Sequence, residues 1–395
     1  MSIKIKMYEI PYIISMCVAF LGNNLIQVIV GGLAIVIGIL GRKGNSGLPK
    51  DDCKILFCWF FLPCLIIHIY TCILVLIGVA GYQVLSTNLI TYLPVLIAVC
   101  AVYAWGMRGC IDTFVALLIA WIVKIILIIC SSGLQPVIDG IRQVFIVKDF
   151  SGNVFEMDDI VLSSGYFLVL FLAMKITNKR NSIFLATMFL LIFALGVKRI
   201  GLVAVAATLF SYLVLFKMNK KNRFRACIVM GIFIFIFGIG IIYLLSDETF
   251  LDSFLDKYKI DVMSRNYFWS YIMSQTNFSY TFFGLGRGSV KVLMLDKFAP
   301  FMHVHSDYIK MFVEIGFIPY LIWLWYYFVG ITRRIKNRYG YDSAYIFFLT
   351  AVYTSVLYIT DNTESYYICG LMRCIIPVAY IAYYKKNLTT LKKAE

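Results

Sequence analysis

The chain has 395 residues, of which 61% are hydrophobic and only 14% are charged, and its mean hydropathy is +0.85. Soluble domains average about 25% charged residues, so this composition excludes an ordinary soluble enzyme. The formal net charge of +15 does not indicate a nucleic-acid partner, because most lysines and arginines lie in short loops between apolar runs.

Apolar runs of bilayer length follow one another along the whole chain. The first begins at Ile10 after Lys4 and Lys6, and we interpret it as a retained helix because no small-residue cleavage site follows. We predict an all-α transmembrane bundle in a single domain, residues 1–395, with about 12 spans. The predicted spans are 8–22, 25–41, 55–80, 88–107, 111–132, 160–176, 182–197, 200–216, 226–245, 307–331, 342–360 and 368–384.

The distribution of charged residues predicts the orientation of these spans. Cytoplasmic loops carry an excess of Lys and Arg, and the basic loops and both termini fall on one side, which we predict to be cytoplasmic. The acidic residues concentrate in alternate loops, mainly a smaller one at 133–159 and a large one at 246–306, between the ninth and tenth spans. The large loop exceeds ordinary loop lengths and is too aromatic for disorder. We expect it to form short amphipathic helices on the outer leaflet and to carry catalytic elements.

Lys198 and Arg199 lie in a tight connection between two predicted spans on the acid-rich side. Cations there run against the positive-inside pattern, and charges near membrane depth are expensive. Because a guanidinium binds phosphate oxygens through a bidentate fork, this connection predicts a diphosphate clamp. The competing interpretation is snorkelling of both side chains to lipid headgroups.

Three further arginines are candidates for an anion site on the same side. Arg265 precedes an aromatic stretch, and Arg373 lies near the outer end of the last span. Arg287 follows Gly284 and Gly286, whose spacing suits positive φ angles or a close backbone approach. Taken alone, Arg265 is better interpreted as a solvated or interfacial residue, and Arg287 as part of a plain turn.

The most informative cluster lies where the long loop enters the tenth span: His303, His305, Asp307, Lys310 and Glu314. A neutral imidazole can take a proton from a sugar hydroxyl. Asp307 is also the expected N-cap of the following helix, and Lys310 and Glu314 could pair with each other at i,i+4. Two histidines and one carboxylate in a loop are a weak metal signal, and we predict no metal or other cofactor.

The order of these motifs resembles that of the bacterial O-antigen polymerase and O-antigen ligase superfamily of membrane glycosyltransferases. The stretches that carry the resemblance are 198–201, 264–269, 283–286, 305–308 and 314–317. They cover roughly residues 190–320, and the remaining spans match by hydropathy only. Lys198 stands where the family often has a small residue, and Asp307 stands where asparagine is commoner.

The resemblance implies a polymerase that joins undecaprenyl-diphosphate-linked repeat units, its donor and acceptor, on the outer face of the bacterial inner membrane. Transfer would be inverting and metal-independent. Arg199 and Arg265 would hold the diphosphate, and His305 would deprotonate or orient the acceptor hydroxyl, unless His303 is the aligned residue. The remaining candidates for substrate binding are Lys198, Arg287, His303, Asp307, Lys310, Glu314 and Arg373. Membrane lipids are further partners, and the resemblance admits a chain-length regulator protein.

Two other functions stay open from the sequence. A ligase would use the same chemistry and pass the glycan to lipid A–core or to protein. A flippase for lipid-linked oligosaccharides would need charges inside the bundle, and Lys124, Glu314 and His68 keep that alternative open.

Overall fold

The computed structural model describes residues 6–41, 47–87, 89–146, 153–174, 179–196, 198–246, 253, 257, 265–301 and 303–394. Within these residues the chain is helical, with no β-strand. The helices are α1 Ile10–Leu21, α2 Asn24–Leu40, α3 Lys50–Leu76, α4 Leu89–Trp105, α5 Met107–Ser132, α6 Gln135–Ile146, α7 Asp158–Met174, α8 Lys179–Gly196, α9 Arg199–Phe216, α10 Lys220–Leu245, α11 Arg265–Ser274, α12 Ser289–Phe298, α13 Asp307–Ile315, α14 Phe317–Trp325, α15 Ile331–Thr360 and α16 Tyr367–Ala394. A 3₁₀ turn covers Tyr82–Thr87, and a π-helical turn, Tyr326–Gly330, joins α14 to α15.

The helices and their surface fit a membrane protein, as predicted. Six helices among the described residues are long and apolar enough to cross a bilayer. Large apolar side chains such as Leu33, Ile66 and Phe233 are about half exposed or more, which a soluble protein avoids over wide areas. Every predicted span coincides with at least one helix, and the count of twelve stays a prediction, because α1 has only 12 residues.

The longest helical run, residues 317–360, reverses direction at Gly340. Its φ of +85° is the left-handed conformation that glycine adopts without a Cβ penalty. Ring contacts between Trp323 and Tyr358 at 5.8 Å, and between Tyr327 and Phe347 at 5.8 Å, show that the two halves pack antiparallel. The run therefore provides two neighbouring helices that bring Thr360 back to the end where α14 begins.

The tenth predicted span, 307–331, is wrong as a single straight helix. It breaks at Gly316, which has a φ of +80° and separates the nine-residue α13 from α14. Almost all of α13 is buried, including Asp307 and Glu314 at 0% exposure. A short buried helix that carries charged side chains is therefore held inside the bundle next to the long loop.

The glycines of the long loop make the close backbone approach that their spacing predicts. Gly284 and Gly286 have φ angles of +86° and +88°. The segment runs against the end of α13, where Leu285 N donates to Val313 O and Gly286 N donates to Glu314 O, both at 2.9 Å. A Cβ on Gly284 would lie 2.5 Å from Gly316 N, and a Cβ on Gly316 would lie 2.5 Å from Gly284 N. The two glycine motifs therefore form one contact.

One end of the bundle, which we call the basic end, collects cations paired with acids. Asp52 of α3 accepts from Lys385 at 2.6 Å and from Arg338 at 3.3 Å, and Asp342 accepts from Lys220 at 2.8 Å. These residues come from loops that the sequence places on the cytoplasmic side. The contacts confirm that the loops share one end, whereas the membrane side of that end stays a prediction.

The opposite end, the loop end, carries α6, α11, α12 and the segment between α15 and α16. Most of 246–264 and all of 147–152 lie outside the described residues. The described part of the long loop is folded: the Phe298 ring contacts Tyr267, Phe268 and Tyr271 with centroids 5.0–5.4 Å apart. Trp269 donates from Nε1 to Val304 O at 2.8 Å, which ties α11 to the histidine segment.

Candidate active site

The centre of the candidate site is residues 361–366, here called the connector, which joins α15 to α16 at the loop end. Asn362 contacts His305, Thr363 donates to Asp307 at 2.9 Å, and the backbone amide of Glu364 donates to the same carboxylate at 2.9 Å. Ser365 accepts from the ammonium group of Lys310. A single polar segment therefore touches several of the residues that the sequence singles out.

The connector is fixed at both of its ends. Arg265 donates from its guanidinium to the Thr360 carbonyl at 3.0 Å. Asp159, at the start of α7, accepts the backbone amides of Ile368 and Cys369, each at 2.9 Å, and so caps the first turn of α16. The capping carboxylate replaces partners that a helix start lacks, so the connector has little freedom to move.

Beside Asn362 of the connector lies a half-buried group that we call the histidine pocket: Lys198, Arg265, Lys291, His303 and His305. The two imidazole centroids are 6.4 Å apart, and Asn362 Nδ2 lies 3.4 Å from His305 Nδ1. His305 has a φ of +53°, which is uncommon for a residue other than glycine.

The electrostatics of the histidine pocket are dominated by cations. The charges that act most strongly on the two imidazoles belong to Lys198, Arg265, Lys291 and Lys310, opposed by Asp158, and Glu156 also pairs with Lys198. Burial first, and then these cations, lower the pKa of His303 and of His305 to about 4. Both imidazoles are therefore neutral near pH 7, and the excess positive charge favours an anionic ligand.

Lys198 and Arg199 have different surroundings. The Lys198 ammonium binds Glu156 at 2.8 Å and Asp158 at 2.7 Å, and it faces the histidine pocket. Arg199 is the first residue of α9, and its side chain is exposed. The structure thus brings Lys198 and Arg265 to His305, whereas the proposed diphosphate contact of Arg199 stays a prediction.

Around Glu364 of the connector lies a buried group, the arginine–glutamate cluster: Arg287, Glu314, Glu364, Arg373 and Tyr358. Arg287 lies 3.7 Å from Glu314 and 3.4 Å from Glu364, and Arg373 and Tyr358 both bind the other oxygen of Glu364. Burial raises the pKa of Glu364, but Arg373 and Arg287 outweigh burial and hold that pKa below its usual value. The cluster places two guanidinium groups against two carboxylates.

Two predicted local pairings are wrong. Ser306, not Asp307, is the N-cap of α13, since its hydroxyl accepts from Ile309 N at 3.5 Å while the Asp307 carboxylate turns to the connector. Lys310 and Glu314 are not partners of each other, because Lys310 reaches Ser365 and Glu314 faces Arg287. Tertiary contacts replace the local ones in both cases.

A cleft runs from the connector between α3, α4 and α16, with about 540 Å³ of empty space that includes its mouth. Arg287, Glu364 and Arg373 form its polar wall, and Ile67 and Tyr92 lie on the helices opposite. The cleft gives the arginine–glutamate cluster limited access to the surroundings of the bundle.

His68 and Lys124, the mid-span residues that kept a transporter open, have structural surroundings. The His68 ring packs edge-on against Tyr92 of α4 at 5.6 Å. Lys124 lies close enough to Asp159 to act on its charge. Glu314 belongs to the arginine–glutamate cluster, whereas His68 Nδ1 is buried without a hydrogen-bond partner among the described residues, so the transporter alternative stays open.

Sequence reasoning missed Asn362, Glu364 and Lys291. The available signal was the polar run from Asp361 to Ser365 between two apolar spans on the acid-rich side. Lys291 has no comparable signal, because a single lysine in a loop is ordinary. Over the described residues, no group of three or more His, Cys, Asp or Glu side chains is arranged to hold a metal ion.

Comparison with known proteins adds no further constraint on this site. No family model and no curated protein matches the chain.

Proposed function

We propose that the chain is a polysaccharide polymerase of the cytoplasmic membrane, which joins lipid-diphosphate-linked oligosaccharide units at the loop end. The observation that carries the proposal is the histidine pocket, where neutral His303 and His305 lie among Lys198, Arg265 and Lys291 at the loop end of an apolar bundle. A sugar diphosphate that leaves during transfer needs fixed positive charge, and the acceptor hydroxyl needs a neutral imidazole beside it. The order of the sequence motifs supports the same reaction.

In the proposed mechanism, the diphosphate of the donor lies against Arg265, Lys198 and Arg199, which stabilise the charge that develops on the leaving group. His305 deprotonates or orients the acceptor hydroxyl for attack on the anomeric carbon from the opposite face. The hydroxyl oxygen forms the new glycosidic bond, the bond to the diphosphate breaks, and the configuration inverts. Lys198, Arg265 and His305 lie in one half-buried pocket, which limits competition from water, whereas Arg199 lies on the exposed rim.

The loop end is proposed to face the non-cytoplasmic side, because the basic end carries the lysines and arginines that positive-inside topology keeps in the cytoplasm. Tyr280 is 74% exposed in the long loop, so a cysteine placed there reports the side of the membrane. In a background without the eleven natural cysteines, Tyr280→Cys should react with an impermeant thiol reagent on intact cells. Reaction only after lysis would reverse the orientation.

The activity itself is tested by deleting the gene in its host and separating surface glycans by size. A polymerase deletion should leave single repeat units in place of a ladder of chain lengths. Long chains that stay on the carrier lipid would indicate a ligase instead. Loss of all lipid-linked units from the outer face would indicate a flippase.

A further inference from the structure

We propose that Asn362 is a positioning residue for His305: its side-chain amide donates to Nδ1 and so keeps the imidazole proton on Nε2, which makes His305 a hydrogen-bond donor to the substrate. The inference rests on the proposed function, since the substrate oxygen that meets Nε2–H belongs to the glycosyl-transfer reaction. It narrows the role of His305 from deprotonating a hydroxyl to orienting an oxygen, and the proton of the acceptor hydroxyl then passes to an oxygen of the departing diphosphate.

The backbone around His305 fixes the direction of its ring. The φ of +53° is held by anchored neighbours: Val304 O accepts from Trp269 Nε1 at 2.8 Å, and Ser306 Oγ donates to Tyr358 O at 3.2 Å. A non-glycine residue keeps this conformation only where the surroundings over-determine it, and such residues cluster at functional sites. The ring is therefore presented to Asn362 and to the pocket by two separate elements.

The side chain of Asn362 is equally constrained. The residue is 1% exposed, and its backbone amide donates to Asp361 Oδ1 at 2.8 Å. Its neighbour Thr363 is held by Asp307 at 2.9 Å, so the amide stays beside the imidazole.

The chemistry of the contact decides the tautomer. Asn362 Nδ2 lies 3.4 Å from His305 Nδ1, and an amide nitrogen can only donate. With the amide nitrogen facing the ring, Nδ1 accepts, and a neutral imidazole, which has one proton, then carries it on Nε2. A donor at Nε2 suits an anionic diphosphate or a sugar oxygen.

Charged groups from several elements face the ring. Arg265 of α11, Lys198 at the start of α9 and His303 of the same segment oppose its protonation, and Asp158 of α7 favours it. Burial first, and then the cations, keep the imidazole neutral near pH 7, so the position of its single proton determines what it can do. With the Asn362 amide reversed, Oδ1 would accept from Nδ1–H and leave Nε2 as a base, and the two arrangements respond oppositely to Asn362→Asp.

The first test determines which ring nitrogen of His305 carries the proton in the absence of substrate. The chain has three histidines, so nitrogen NMR of histidine-labelled protein in detergent or lipid can be assigned with His68→Gln, His303→Gln and His305→Gln variants. We expect the His305 signals of an Nε2-protonated ring in the unmodified chain and of an Nδ1-protonated ring in Asn362→Asp. An Nδ1-protonated ring in the unmodified chain would overturn the inference, whatever the activity.

The second test measures turnover as a function of pH, with lipid-linked units extracted from the deletion strain as the substrate. In Asn362→Asp the carboxylate accepts from Nδ1–H and removes the proton from Nε2, so we expect kcat near pH 7 to fall about 10²-fold with KM little changed. Turnover should recover as the pH falls, because the carboxylate raises the His305 pKa and the doubly protonated ring donates from Nε2 again.

Two variants complete the design. Asn277→Asp adds the same charge on an exposed residue of the long loop and should leave the profile unchanged. Asn362→Ala removes the donor without adding charge and should lose activity without recovery in acid. If Asn362→Asp keeps its turnover near pH 7 and loses it on acidification, His305 is a base and the inference fails.

An equal loss of turnover at every pH, with the tautomer unchanged by NMR, would make the role of Asn362 merely structural and would also overturn the inference. Absence of turnover in the unmodified chain, with the expected tautomer by NMR, would count against the proposed function alone.

Discussion

The histidine pocket and the arginine–glutamate cluster contact different residues of the connector, Asn362 and Glu364, and differ in how their charges are balanced. In the cluster, Arg287 and Arg373 face Glu314 and Glu364, and all of these side chains are nearly buried. In the histidine pocket, Lys198, Arg265 and Lys291, together with the neighbouring Lys310, act on two neutral imidazoles, and two carboxylates, Glu156 and Asp158, pair with Lys198. Buried charges that neutralise each other hold a structure in place, whereas a half-exposed group with an excess of positive charge can bind an anionic ligand.

Arg265, Arg287 and Arg373, which the sequence groups together as anion-site candidates, have different roles in the structure. Arg265 combines a structural bond to the connector with a charge in the histidine pocket. Arg287 and Arg373 hold Glu364 and thereby the connector, so a direct contact with substrate would require displacement of a glutamate. Substitutions in the two groups should therefore affect different measurements.

The largest effect is expected from His305→Ala. Loss of the imidazole beside the reacting oxygens should lower the rate of polymerisation by about 10²–10⁴-fold, while the amount of protein in the membrane is unchanged. The size ladder of surface glycans measures this loss. His68→Ala, the same change in the middle of α3, is the matched control and should keep the ladder. An unchanged ladder in His305→Ala would remove the histidine pocket as the active site.

Glu364→Gln should act on stability first. It leaves two buried guanidinium groups with one fewer carboxylate, and breaking a buried ion pair costs about 3–5 kcal/mol. The midpoint of thermal unfolding in detergent should fall clearly. Asp139→Asn breaks the exposed pair with Arg142, 3.9 Å apart, and should change stability by less than about 1 kcal/mol. Equal midpoints for the two variants would contradict the structural role of the cluster.

Gly284→Ala should destabilise the fold by about 2–4 kcal/mol, because it adds left-handed strain and a contact of 2.5 Å with Gly316 N. Two glycines separate these causes. Gly78 has a φ of +77° with nothing within 4 Å of an added Cβ, so Gly78→Ala measures strain alone. Gly240 has neither and should tolerate alanine. If Gly284→Ala unfolds at the same temperature as Gly78→Ala, the close approach of the two segments is wrong.

The smallest effect is expected from Lys291→Met. Loss of one of four cations around the histidines should raise KM for the lipid-linked units about tenfold with little change in kcat, and the difference should shrink at high salt. Lys297→Met, near the end of the same helix α12, is the control, because Lys297 is exposed. A loss confined to kcat would indicate that Lys291 does not bind the ground-state substrate.

Much of the fold could be predicted from hydropathy, because the length of each apolar run indicates whether it can form a membrane-spanning helix. The break at Gly316 was missed because α13 is apolar enough to continue a span, and only the φ of the glycine shows the interruption. The position of His303 and His305 beside cations followed from motif order. The partners of Asp307, Lys310 and Glu314 could not be predicted, because i,i+4 spacing indicates local pairs, whereas the actual partners lie far away in the sequence.

The contact between Gly284 and Gly316 has a consequence for recognising relatives of this chain. Each glycine leaves room for the backbone of the other. A side chain at either position is therefore expected to require a rearrangement of both segments. Taken separately, the two short motifs are common in any protein. A search pattern that requires both small residues, with a histidine between them, would select chains that can form this backbone contact. It would reject chains that share only the hydropathy of this protein.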